Sequence, residues 1–112
     1  MAKPASRPYS RYTQEAIRLM GRLIRKARIE RKQTLVELSE RAAISRGLLQ
    51  RIEHGDPGCS VGAVFEVAAL LGIRLFDLDR DSLRANNRIF EHTLTLLPKA
   101  ARGPRKPVKD DF

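Results

Sequence analysis

Apolar side chains recur at helical intervals through most of this chain. From about Thr13 to Arg31, Ala16, Leu19, Met20, Leu23 and Ala27 trace one apolar face with Ile24 beside it. Arg18, Arg22, Arg25, Lys26, Arg28, Arg31 and Lys32 take the opposite side. Thr34, with Glu37 three residues on, is a capping box that opens a second helix. There Leu38 and Ala42 share a face, and Ser39 is small enough to lie under a crossing helix. A corner follows at Ala43-Ile44. Ser45 caps a third helix in which Leu49 and Ile52 point inward, and Gly55 supplies its stop. Arg46, Gly47, Leu48, Gln50 and Arg51 are left on the outer face.

The pattern continues beyond a turn at Asp56-Pro57-Gly58. Ser60 caps a fourth helix whose Val61, Val64, Phe65, Val67, Ala68 and Leu71 make it apolar over much of its circumference, a central core strut. Gly72 ends it. Ile73, Leu75, Phe76 and Leu78 are expected to close the core, and what they leave exposed is a candidate dimer surface. Asp79 or Asp81 caps a last helix, from about Ser82 to Leu97, stopped by Pro98. On it Leu83, Phe90, Leu94 and Leu97 form a stripe with Ile89 at its edge. The expected organisation is a flexible basic arm over 1–12, a helical domain over 13–79, a helix for dimer or partner contact over 80–98, and a disordered basic tail over 99–112.

Charge narrows the partners. The net charge is +9, which favours a polyanion and leaves DNA, RNA and anionic membrane open. Its distribution is uneven: residues 1–33 carry ten Lys or Arg against Glu15 and Glu30, whereas 34–79 carry four against seven acidic side chains. The positive field therefore lies on the first helix and the arm, as docking to phosphates requires. The single cysteine, Cys59, excludes an intramolecular disulfide, and His54 and His92 lack the companions that a metal site or a catalytic base needs. No cofactor, metal or enzymatic activity is implied. No apolar run reaches membrane-spanning length and the N-terminus is not signal-like, so the expected location is the cytoplasm.

Two short helices meeting at a tight corner, the second exposing long donors near its start, make a helix-turn-helix arrangement. The plainer reading is an ordinary helical hairpin. In the first reading, Arg46 and Gln50 are the base-reading candidates, since Arg suits guanine and Gln adenine with two bonds each. Gly47 permits close approach to the DNA backbone or a thymine methyl. Thr34, Ser45, Arg25, Lys26 and Arg51 are candidates for contact with the duplex, chiefly its phosphates. An RNA ligand fits less well, because A-form grooves do not admit a reading helix.

The stretch Leu19 to Leu78 resembles the Cro/phage-repressor-like (XRE-type) helix-turn-helix family through Arg28, Glu30-Arg31, Thr34, Glu37-Leu38, Ile44-Ser45, Arg51-Ile52-Glu53 and Gly55. The resemblance implies an all-α, five-helix phage-repressor-like DNA-binding domain, here with an additional C-terminal helix and flexible termini. It also implies an ion pair between Glu53 and Arg28. Leu35 departs from the family, which usually has Gln after the capping Thr, and Ser39 and Ala43 replace the usual Ala and Gly. The GDPG turn, the SVGAVFEVAALLGI helix, the LLPKAARGPRK segment and the DDF terminus look like the HipB-type antitoxins encoded beside HipA-like serine/threonine kinase toxins. That implies a homodimer on a double-stranded operator, autoregulation, and restraint of a HipA-like kinase. Leu83, Phe90, Leu94, Leu97 and Phe112 are the partner-binding candidates. The alternative is a stand-alone XRE-type regulator with no toxin partner.

Overall fold

Every helix starts on a side chain that occupies one of its first free amides. In the computed structural model, which describes residues 9–100, Ser10, Thr34, Ser45, Ser60 and Asp79 accept from the amides of Thr13, Glu37, Leu48, Ala63 and Ser82. The resulting elements are α1 (Arg11–Glu30), α2 (Leu35–Ala42), α3 (Arg46–Glu53), α4 (Val61–Leu70) and α5 (Arg80–Thr95), with a single 3-10 turn at Leu75–Asp77. The fold is all-α, without a strand among the described residues. At Thr34 the capping box is complete, the Glu37 carboxylate accepting from the Thr34 amide in return.

The first four helices also stop alike. A left-handed residue follows each, at Lys32, Ala43, Gly55 and Gly72. The next amide reaches back five residues, from Gln33 to Arg28, Ile44 to Ser39, Asp56 to Arg51 and Ile73 to Ala68. These are Schellman ends. At Lys32 and Ala43 a Cβ is carried in a backbone region that favours glycine. α1 begins two residues before the expected Thr13 because Ser10 is its cap. Residues 9–12 thus precede or begin this helix, and the rest of the expected arm, 1–8, lies outside the described residues, as does 101–112 of the expected tail.

The core is formed by Ile24, Leu38, Ala42, Leu49, Ile52, Val67 and Ala68, contributed by α1 to α4, and by Leu71, the residue that caps α4. This corrects the register of α1. Leu19 and Leu23, expected inward, are 57% and 41% exposed, while Ile24 is fully buried. The line facing the core runs through Met20, Gly21, Ile24, Ala27 and Arg28. Gly21 explains the rotation: a Cβ there would lie 2.5 Å from the Ile52 carbonyl oxygen, so only a glycine lets α1 cross α3 this closely. Leu48, assigned to the outer face of α3, is half-buried and packs against the core, as does Leu35. Val61, expected in the strut, is exposed.

The chain divides into two units between Phe76 and Asp77, where both residues have left-handed backbone. That geometry cannot continue a helix. The first unit therefore holds α1 to α4 and the start of the 3-10 turn, and α5 is the fifth α-helix among the described residues. Ile73 and Leu75 pack on the core as expected, and Phe76 sets its ring edge-on to Phe65 with centroids 6.2 Å apart. In the second unit, α5 opens on Asp79 and buries no residue. No helix among the described residues is long and apolar enough to cross a membrane.

Candidate nucleic-acid interface

α3 is eight residues long and is held by its inner face, with Leu49, Ile52 and Glu53 buried. Its start points the other way. Arg46, Gly47 and Gln50 are exposed, and Ser45 caps them with its hydroxyl oxygen 3.0 Å from the Leu48 amide. Nothing among the described residues demands glycine at 47, since an added Cβ would meet only the Ser45 hydroxyl, at 4.0 Å. Thr34 likewise has its oxygen committed to the Glu37 amide. Both hydroxyls keep a hydrogen for an outside acceptor.

Gln50 also faces a cleft of about 400 Å³ between α1 and α3, which sequence reasoning did not foresee. Arg18, Arg22 and Arg25 line it from α1, His54 closes the α3 end, and Leu35 contributes its apolar part. The His54 Nδ1 donates to the Gln50 carbonyl at 2.7 Å. The periodicity of α1 marked these arginines as one polar face; their placement opposite Gln50 depends on how α1 crosses α3. Arg25 and Gln50 are thus brought together. Lys26 is not: it pairs with Glu30 at 2.8 Å, one turn along α1, and does not line the cleft.

At the floor of the cleft, Arg28 and Glu53 form the ion pair that the resemblance implied. Arg28 belongs to this buried contact and not to the solvated arginine face on which periodicity put it. Its Nη1 donates to the Gln33 carbonyl at 2.9 Å, so the guanidinium is tied to three oxygens. Arg51 is placed apart from Arg46, near the other end of α3. Its Nε donates to Asp56 at 2.8 Å, and the other Asp56 oxygen accepts from Gly58 at 2.7 Å. The Arg51 hydrogen bond, and after it the Gly58 amide, hold the Asp56 carboxyl below its ordinary range. For Arg51 to touch a duplex it has to share or leave this acid.

A second cleft, about 310 Å³, is mostly apolar and lies among Ile17, Met20, Val61, Val64 and Phe65, with Cys59 on its wall. Burial pushes the Cys59 thiol up from its ordinary pKa, an effect that nearby Arg51 opposes. No group of three or more His, Cys, Asp or Glu among the described residues is placed to hold a metal ion. On α5, Phe90 and Leu94 are 62% and 66% exposed and Leu83 is half-buried; the helix ends at Thr95, short of the expected Leu97, which follows it and is 52% exposed. Phe112 lies outside the described residues. Comparison with protein-family models, with curated proteins and with solved structures gave no match.

Proposed function

We propose that this chain is a binding protein, not an enzyme, which recognises duplex DNA by sequence through the exposed start of α3 and represses transcription there. The observation that carries the reading is the pairing of Arg46, Gly47 and Gln50 on the free face of a short, core-anchored helix with an arginine face on the helix beside it. Arg and Gln side chains at that start have the donors and acceptors that distinguish base edges. The α1 arginines supply the sequence-independent attraction. The α2–α3 corner and the Arg28–Glu53 contact agree with the XRE-type resemblance drawn from the sequence.

The narrower reading is a cytoplasmic antitoxin that dimerises on a two-fold operator and restrains a HipA-like kinase. It is supported by the resemblance of the GDPG turn and the later segments, and by the apolar side chains that α5 leaves exposed. In a dimer, the two α3 helices would lie about 34 Å apart or a multiple of it. A stand-alone regulator remains the second reading, since the same α5 face serves equally to join two copies.

Selection from a randomised duplex library tests the main reading. It should enrich one sequence, and Arg46→Ala or Gln50→Ala should then lose about 1–3 kcal/mol of discrimination at defined base pairs. No enrichment, or equal losses on selected and scrambled duplex, would remove sequence reading from α3.

A further inference from the structure

We propose that the arginine-lined cleft between α1 and α3 is a phosphate seat, and that its ligand is a backbone phosphate of the duplex read by α3. The inference rests on the DNA-binding reading and adds Arg22 and Arg18 to the residues that meet the ligand. Arg18, Arg22 and Arg25 stand four and three residues apart on α1, so their side chains emerge on one side of the helix and into one cleft. A guanidinium presents a planar fork of donors that matches two oxygens of a phosphate, and two such forks from adjacent turns close around a single group.

The local charges are not balanced among the described residues. Glu53 is the acid at the floor, and Arg28 already holds both of its oxygens at 2.7 and 3.1 Å. Arg25 stands at 3.9 Å from the same carboxylate, at the limit of an ion pair. Arg18 has Glu15 at 3.6 Å, and Arg22 has no acidic partner among the described residues. Among the described residues lining the cleft, Arg22 and, beyond its long contact with Glu53, the exposed Arg25 are therefore the cations open to an outside anion. The Gln50 side-chain amide, across the cleft on α3, is a further donor.

The walls are also fixed in place. Gly21 abuts the Ile52 carbonyl, and a Cβ on Gly55 would lie 3.1 Å from the Arg18 Cα. Contact at both glycines sets the distance between the arginine row and α3 before any ligand arrives, so little ordering of the backbone remains to oppose binding. Gln50 belongs both to the seat and to the reading face. A phosphate held here would set the register in which Arg46 and Gln50 approach the bases.

The test uses the full chain. Arg22→Ala and Arg25→Ala should each weaken binding about 5- to 10-fold at 0.1 M salt, by the same factor on selected and scrambled duplex, and the two together, which leave the phosphate without either open cation, should lower the slope of log K against log salt by about one. A wild-type slope in the Arg22→Ala/Arg25→Ala double variant, on a duplex that it still reads, would overturn the seat and leave the reading by α3 intact. If the wild-type protein binds no duplex at all, the DNA reading fails, and inorganic pyrophosphate decides the seat separately. Saturable shifts of the Arg22 and Arg25 Nε–H resonances would keep the phosphate chemistry and assign it to a free ligand; unmoved resonances would overturn it.

Discussion

Arg28 of α1 and Glu53 of α3 meet in a two-pronged ion pair, with Nε at 2.7 Å and Nη2 at 3.1 Å from the two carboxylate oxygens. Both residues are buried, at 9% and 7% exposure, so the charges depend on each other for solvation. Glu53→Ala should cost on the order of 3–5 kcal/mol because it strands a buried guanidinium. The isosteric pair Arg28→Met with Glu53→Leu should recover most of that loss. Denaturant melts of the single and double variants provide the measurement. A single variant as stable as the wild type would mean that water solvates the pair.

Gly21 sits where α1 touches the α3 backbone. Gly21→Ala places a methyl group 2.5 Å from the Ile52 carbonyl oxygen and 2.8 Å from that of Glu53. Neither is a flexible side chain that can swing away. The helices must part, at a cost of about 1–3 kcal/mol, despite the better helix propensity of alanine. Thermal unfolding would read the effect, and an unchanged or raised Tm would show that the crossing relaxes freely.

Asp56 links the end of α3 to the following turn. Its carboxyl is held below its ordinary range by Arg51 and by the Gly58 amide. A depressed carboxylate contributes stability above its unfolded pKa, about 3.9, and loses it as pH falls through the lower folded value. Asp56→Asn keeps an acceptor for Gly58 but has no charge to titrate, so its stability should fall less steeply than that of the wild type below about pH 4. Urea melts between pH 2 and 5 compare the two. Parallel curves would mean that solvent screens the exposed pair completely.

On α5, Phe90 and Leu94 are large, apolar and mostly in water. Under the antitoxin proposal, replacing both with glutamate should reduce self-association, capture of a HipA-like kinase, or both. Sedimentation and pull-down of the full chain read these separately. Wild-type behaviour in both would exclude this face as an interface.

The helix boundaries were legible because capping is local. Ser45 and Ser60 satisfy amides three residues away, and Gly55 and Gly72 turn the chain by their own backbone freedom, so adjacent letters suffice to find them. The same locality made the α1 start easy to misplace, since Ser10 and Thr13 both have a capping side chain. Periodicity identified an arginine face on α1 and an apolar face on α3 without their relative angle. That angle depends on Gly21 meeting a carbonyl thirty-odd residues later in the chain, and no pattern within α1 announces it. Leu23 rather than Ile24 looked inward for that reason. Arg51 looked free because its acid lies in the next turn, and Leu48 looked exposed because its neighbours come from other elements. Local hydrogen bonding wrote the helices into the sequence, whereas the cleft that joins Arg22, Arg25 and Gln50 exists only once two distant backbones are pressed together.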